Sequence, residues 1–243
     1  MLKKYDPQVE NFIDGVDFSY NDPCIFIVYC AGASGDLLAS IINTHYLNTG
    51  ASCFGITENG QVVFRPSDHN IIDIRHKSMK DDLENMFTDD MLYNISESLS
   101  NRNLHYSLID QMIFRVHMFK KHEVELILDK FPKSKVIQIY IEDNHQKQLI
   151  NYQSNLKNAN IKEDYFDFSN LVPNKIEHVK SPRLLSIPYI SLFEKQSFEH
   201  TYDRIVKFLD LESRLIRFSY IEYYLKCQTK EFRAALKEYK KQF

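Results

Sequence analysis

Short runs rich in β-branched and aromatic residues predict the strands of a sheet. Three of them cover residues 24–30, 113–116 and 136–141, and a shorter fourth run covers 184–189. The first run, CIFIVYC, carries no charge, which is typical of a strand that is buried on both faces inside a parallel sheet. The pattern therefore predicts a sheet in which 24–30 is the central strand.

Apolar residues at three- and four-residue spacing follow these strands and predict helices. After the first strand the spaced residues are Leu37, Leu38, Ile41, Ile42 and His45. This spacing places one apolar face of a helix against the sheet. Further helices are predicted at 121–130, from 144 to about 157, at 194–209 and along 212–243. The alternation of strands and helices predicts parallel pairing with right-handed crossovers.

Three stretches between the first and second strands are less regular. Residues 51–64 hold two short β-prone runs around Glu58, Asn59 and Gly60, a pattern that predicts a hairpin or a strand with a bent loop. Residues 66–76 show no clear period. Residues 78–100 are polar, with apolar positions at helical spacing, which predicts two short helices that form a lid or a substrate wall.

A chain of 243 residues is long enough to bury a full core in one domain. The predicted fold class is α/β, a three-layer sandwich in which helices cover both faces of a central, mainly parallel sheet. We expect one domain over 1–243, in which 213–243 form a C-terminal helical extension. The end of this extension is basic, which indicates a helix face exposed to solvent; the alternative is a surface that docks an acidic partner.

The overall charge and the cysteines exclude several classes of protein. The net charge is −3 at pH 7, which argues against a general nucleic-acid-binding protein. No apolar run approaches the roughly 20 residues that a membrane span needs, and the N-terminus lacks the apolar core of a signal peptide. The four cysteines form no Cys-x-x-Cys pair, so neither a disulfide framework nor a metal site is expected. These features predict a cytoplasmic protein.

The turn after the first strand is the candidate binding site. Strand, glycine turn and helix in succession form the geometry that cradles a phosphate, because a helix N-terminus offers unpaired N–H groups and a positive dipole end. The alternative is a strand-to-helix turn that binds nothing, since a Gly-x-x-Gly motif is weak by itself. The candidate residues are Gly32, Ala33, Ser34, Gly35, Asp36 and Leu37.

Three segments, in this order, resemble the sulfotransferase family. The first is the glycine turn, in which Ser34 and Gly35 match the family's Ser-Gly pair. The second, FPKSKVIQIYIEDNHQKQLINYQ at 131–153, looks like the family's strand and the helix that binds the 3′-phosphate of its cofactor. The third, YISLFEKQSFEHTYDRIVKFLDLE at 189–212, resembles the segment whose helix ends in a Phe-Leu-Gly-Leu pattern.

The resemblance implies a P-loop nucleotide-binding fold and the transfer of a sulfuryl group from 3′-phosphoadenosine 5′-phosphosulfate (PAPS) to a hydroxyl. The expected partners are this nucleotide-like cofactor and an unidentified hydroxyl acceptor. The turn residues and Asn151 would bind the cofactor. His117 ends the second strand and is the candidate general base, because a neutral imidazole can remove a hydroxyl proton at neutral pH. A structural histidine at a strand end is the alternative.

The sequence departs from the family at three positions, and each departure makes the site less positive. The family's phosphate-loop lysine falls on Ala33, its first threonine on Asp36, and the arginine that grips the 3′-phosphate on Glu142. A like-charge pair at ~4 Å is unfavourable by about 1 kcal/mol even when well screened. Arg115 and Lys120 are the cations that could compensate. The alternative function is a non-catalytic binding or scaffold module; a nucleotide kinase fits less well, because the full Gly-x-x-x-x-Gly-Lys-Ser/Thr loop is absent.

Overall fold

The computed structural model describes residues 18–29, 33–47, 55–56, 62–63, 71–74, 88–90, 92–93, 96, 112–117, 122–142, 146, 149–150, 152, 179–211 and 219–241. Several predicted positions lie outside these ranges. They include Cys30, Gly32, Lys120 and Asn151, together with most of the predicted helices at 78–100 and 144–157.

Five of the strands form one parallel sheet. In chain order the strands are β1 (Cys24–Tyr29), β2 (Gly55–Ile56), β3 (Val62–Val63), β4 (Ile71–Ile74), β5 (Met112–His117), β6 (Lys135–Tyr140) and β7 (Leu184–Pro188). The sheet has the order β4-β5-β1-β6-β7, and every neighbouring pair is parallel. The predicted parallel sheet with a central first strand is confirmed. β2 and β3 pair antiparallel, which confirms the predicted hairpin.

β1 is buried along its whole length, and this explains its composition. Ile25 and Ile27 belong to the apolar cluster on one face of the sheet, whereas Phe26 and Val28 belong to the cluster on the other face. Side chains alternate between the two faces of a strand. β1 therefore has no exposed position at which a charged residue could reach solvent.

Helices cover both faces of this sheet. They are α1 (Gly35–Leu47), α2 (His122–Lys130), α3 (Lys195–Leu209), α4 (Ser219–Cys227) and α5 (Lys230–Lys240), and a 3₁₀ turn (Tyr189–Leu192) precedes α3. The predicted helices at 121–130 and 194–209 are confirmed to within a residue. Among the described residues, no helix combines the length and the apolar character that crossing a membrane requires.

The two faces carry different sets of helices. α1 and the C-terminal helices share one buried cluster, to which α4 and α5 contribute Ile221, Tyr224, Phe232, Leu236 and Tyr239. α2 packs on the opposite face, where Phe18 contacts Phe114 with ring centroids 5.5 Å apart. The basic residues of α5 are exposed, as expected for a face in solvent. The general α/β architecture with helices on both faces is therefore confirmed.

The strand β4 is not predicted by the sequence pattern. It is only four residues long, and Asp73 interrupts its apolar run. Its strand conformation is instead stabilised by pairing with β5, where Asp73 lies opposite Arg115 in the register. Long-range pairing of this kind leaves no local periodicity that a sequence could display.

Candidate functional site

The turn between β1 and α1 lies at the carboxyl end of the central strand. From β1 the chain continues to the edge strand β4, whereas from β6 it continues to β7 at the opposite edge. The connections therefore diverge beyond the carboxyl ends of β1 and β6. In open parallel sheets such a divergence leaves a crevice at the strand ends, and ligands bind there.

The turn has two residues whose conformation or space is restricted. Ser34 adopts the left-handed region with φ 59°, and its carbonyl accepts the N–H of Leu38 at 3.1 Å, which starts α1. A Cβ at Gly35 would overlap the ring of Tyr29. Tyr29 thus folds back over the first residue of α1, and only glycine leaves room for its ring.

The carboxylate of Asp36 is compensated by a neighbouring strand. Its Oδ1 accepts a hydrogen bond from Arg115 Nη1 at 2.7 Å and another from the hydroxyl of Tyr29 at 3.1 Å. Arg115 is buried, whereas the side chain of Asp36 is 29% exposed. The guanidinium of Arg115 therefore lies against the first turn of α1, where Asp36 is its partner.

A second tether joins the turn to the C-terminal helices. Ser34 Oγ and the hydroxyl of Tyr224, on α4, lie 3.0 Å apart in a buried hydrogen bond. The ring of Tyr224 stacks on Phe193, with centroids 6.2 Å apart. No sequence signal indicated this contact, because the two residues that form it are 190 positions apart.

The predicted cofactor-binding residues of the turn have different surroundings. Ala33 and Leu37 are buried in the core, so only their backbone is available to a ligand. A lysine in place of Ala33 would bury its stem and ammonium among apolar side chains.

His117, the candidate general base, ends β5 and lies opposite Tyr29 in the register. The register therefore places His117 at the carboxyl end of the sheet, where the turn also lies.

Glu142 follows β6 and is held by a buried glutamine. Its backbone N–H donates to Gln146 Oε1 at 3.1 Å, and Gln146 Nε2 donates to Glu142 Oε2 at 3.2 Å. The same Nε2 lies 2.8 Å from the hydroxyl of Tyr239, on α5. Gln146 has no exposed surface. This arrangement fixes the Glu142 carboxylate at the carboxyl end of the sheet.

A cavity of about 410 Å³ opens beside Glu142. Its walls come from the ends of β6 and β7, the 3₁₀ turn, the start of α3 and the end of α5. The lining residues are Glu142, Pro188, Ile190, Ser191, Glu194, Ser197, Tyr239 and Lys240. Its volume lies within the range of small-molecule sites.

The charged groups of this cavity are mainly acidic. Glu194 accepts a hydrogen bond from Ser197 Oγ. Lys240 Nζ donates to the carbonyl of Phe193 at 2.7 Å. Burial lowers the pKa of Lys240, and the nearby Glu194 partly opposes this shift. Among the described lining residues, two carboxylates therefore face one ammonium, and this ammonium already has a backbone partner.

Comparison of the chain with protein-family models gives no match, and comparison with curated proteins gives no relative. The functional argument therefore depends on the geometry of the site. A helix N-terminus lies at the turn, an arrangement that can bind an anion, and Arg115 lies beside it in its pair with Asp36. The cavity does not fit a 3′-phosphate, because Glu142 and Glu194 line it.

Proposed function

We propose that this protein is a sulfotransferase-like protein of the P-loop nucleotide-binding class. It binds the 5′ end of a nucleotide phosphosulfate at the turn between β1 and α1 and transfers the sulfuryl group to a hydroxyl acceptor. PAPS is the donor that the family resemblance names. The observation that carries the proposal is the position of the turn, at the carboxyl end of the central strand where the connections of a parallel sheet diverge.

The charge balance at the turn supports binding of an anion. Asp36, taken alone, would repel a phosphate, but its carboxylate is paired with Arg115 at 2.7 Å. The pair is close to neutral as a unit, so the dipole and N–H groups of α1 set the local potential. Backbone N–H groups can therefore hold a phosphate here without the lysine that the family places in the loop.

His117 is the general base in this proposal. It lies opposite Tyr29 in the register of β1 and β5, and so at the carboxyl end of the sheet, where the turn also lies. The base takes the proton of the acceptor hydroxyl while the acceptor oxygen attacks sulfur. The bond from sulfur to the 5′-phosphate oxygen breaks in the same displacement, and the nucleotide leaves with that oxygen.

A second candidate is a non-catalytic binding module on the same fold. The acidic lining of the cavity favours it, because Glu142 and Glu194 oppose the phosphate that PAPS carries on its ribose. This alternative predicts binding of some ligand without sulfuryl transfer. The two candidates differ in turnover and can differ in ligand, so a binding assay and a transfer assay are both needed.

Calorimetric titration with adenosine 5′-phosphate and with 3′-phosphoadenosine 5′-phosphate tests the nucleotide site. The proposal predicts saturable binding of at least one of them. Asp36→Thr is expected to tighten binding modestly, because it removes a negative charge from the first turn of α1. Asp203→Asn, which removes an exposed acid from α3, is the matched control and leaves the affinity unchanged.

Absence of binding by both nucleotides at millimolar concentration contradicts the nucleotide site and hence the sulfotransferase hypothesis. Binding without transfer of sulfate from labelled donor to any member of a panel of phenols, alcohols and sugars supports the binding module instead. Binding that Asp36→Thr and Asp203→Asn change equally means that the ligand does not lie at the turn.

A further inference from the structure

We propose that Glu142 makes the site selective for a nucleotide whose ribose hydroxyls are free, and that it rejects a nucleotide with a 3′-phosphate. This inference rests on the proposed nucleotide site at the turn. It narrows the donor class to an adenosine 5′-phosphosulfate or a related nucleotide without phosphate on the ribose.

The position of Glu142 suits contact with a ribose. β6 is the direct neighbour of β1, with Val28 opposite Gln138 in the register. Glu142 follows β6 by two residues, on the side of β1 that faces away from Arg115 and β5. Adjacent strands lie roughly 4.8 Å apart, so the end of β6 is the neighbouring strand end on that side of the turn. In the proposed binding mode, a nucleotide held by its 5′-phosphate at the turn extends its sugar towards this strand end.

The conformation of Glu142 is fixed before any ligand arrives. Gln146 binds both its backbone N–H and its carboxylate, and Gln146 is itself buried against Tyr239. A carboxylate that is held in this way costs little further ordering on binding. Rotation of Glu142 away from an incoming phosphate would break the hydrogen bond from Gln146.

The chemistry of a carboxylate distinguishes the two forms of the sugar. A carboxylate accepts hydrogen bonds from ribose hydroxyls, whereas a phosphate monoester brings a charge of about −1.5 to −2 at neutral pH. Dinucleotide-binding folds use the same distinction, with an acidic residue for a free ribose hydroxyl and an arginine for a phosphorylated one. Glu142 therefore favours the free hydroxyls.

The rest of the cavity strengthens this preference. Glu194 adds a second carboxylate to the lining, and Ser191 and Ser197 add hydroxyl groups that suit a sugar. Lys240 is the cation of this lining, and its ammonium donates to the Phe193 carbonyl at 2.7 Å with Glu194 close by. The described lining thus offers a 3′-phosphate more repulsion than attraction.

Parallel calorimetric titrations of the full chain with adenosine 5′-phosphate and 3′-phosphoadenosine 5′-phosphate, at one ionic strength, test the inference. The two nucleotides differ only in the 3′-phosphate. The inference predicts that adenosine 5′-phosphate binds at least tenfold more tightly. This comparison needs no variant, so it does not depend on how a substitution affects folding.

Variants then assign the preference to Glu142. Glu142→Gln keeps the amide contact with Gln146 and removes the charge, so the difference between the nucleotides narrows. Glu142→Arg reverses the preference. Glu199→Gln removes one exposed charge from α3 outside the cavity and leaves the preference unchanged.

The outcomes separate this inference from the proposed function. Equal or tighter binding of 3′-phosphoadenosine 5′-phosphate overturns the selectivity and leaves PAPS as the donor. A preference for adenosine 5′-phosphate that survives Glu142→Arg overturns the assignment to Glu142. Absence of binding by both nucleotides overturns the proposed nucleotide site and the inference together.

Discussion

The turn after β1 and the cavity after β6 both lie at the carboxyl ends of the parallel strands. They differ in packing and in charge. At the turn, Ala33 and Leu37 are buried and Asp36 is paired with Arg115. At the cavity, Glu142 and Glu194 are exposed and line an open volume. The turn is thus closely packed and balanced in charge, whereas the cavity is open and acidic.

This difference assigns separate tasks to the two regions. Packing dictates the side chains of the turn, so in the proposed site a phosphate would meet mainly backbone N–H groups, which do not distinguish one phosphate from another. Side chains line the cavity, so they decide which ligand is accepted. Substitutions at the turn should therefore damage stability or chemistry, and substitutions at the cavity should change selectivity with little effect on stability.

The largest expected effect comes from His117→Ala. Loss of a general base lowers the rate of sulfuryl transfer by roughly 10²–10⁴-fold, and nucleotide affinity stays unchanged. Transfer of labelled sulfate to an active acceptor measures the rate, with calorimetry for affinity. His200→Ala, in an exposed position on α3, is the control with full activity. A His117→Ala variant with the wild-type rate contradicts the assignment of the base.

Gly35→Ala should destabilise the protein by about 3 kcal/mol, as expected for overpacking. The added methyl group overlaps the ring of Tyr29, which is itself buried. Helix propensity alone favours alanine by roughly 1 kcal/mol. A loss of stability would therefore show that the overlap with Tyr29 outweighs helix propensity. Urea denaturation measures it. A variant as stable as the wild type means that the ring of Tyr29 does not lie over Gly35.

Arg115→Met should cost about 2 kcal/mol, less than a fully buried ion pair because Asp36 is partly exposed. Asp36→Asn in the same chain should recover part of this loss. A double-mutant cycle in urea gives the coupling energy. Glu194→Gln, the matched removal of a carboxylate at the cavity, should cost less than about 0.5 kcal/mol. If Asp36→Asn alone lowers the free energy of unfolding no more than Glu194→Gln does, the contrast between the two regions is contradicted.

The smallest effect concerns the pH dependence set by Lys240. Burial lowers the pKa of this ammonium below its usual 10.5, so the unfolded chain binds the proton more tightly than the folded protein does. Its contribution therefore makes stability rise with pH in the window just below 10.5. The ammonium is partly exposed, so screening by solvent keeps this rise small.

Lys240→Met removes this contribution, and Lys237→Met, which is exposed on the same helix, does not. Urea midpoints at several pH values, up to the usual pKa of lysine, measure the difference between the variants. Identical pH profiles for the two variants would show that Lys240 is solvated in the folded protein.

The sheet could be predicted from the sequence because its strands are long apolar runs. β1 is buried along its whole length and β6 at its inner positions, so most of their residues are apolar. The amphipathic helix α3 shows the same advantage, since its buried residues recur at helical spacing. The strand β4 could not be predicted from the sequence, because its four residues depend on pairing with β5.

The charges of the candidate site could not be predicted in the same way. Taken alone, Asp36 is an acidic residue at a turn that resembles a phosphate-binding loop. Its compensation by Arg115 depends on a contact between residues 79 positions apart, and the link between Ser34 and Tyr224 spans 190 positions. Such contacts follow from tertiary packing and leave no local signal. The same is true of the cavity, whose walls come from separate elements.

Amide chemical shifts measured during a nucleotide titration test the central claim most directly. The account predicts that adenosine 5′-phosphate shifts the amide resonances of Gly35, Asp36 and Leu37 in a saturable way, together with that of Glu142. Adenosine, which lacks the phosphate, should leave the three turn amides in place. Saturable shifts confined to other parts of the chain would contradict a nucleotide site at this turn.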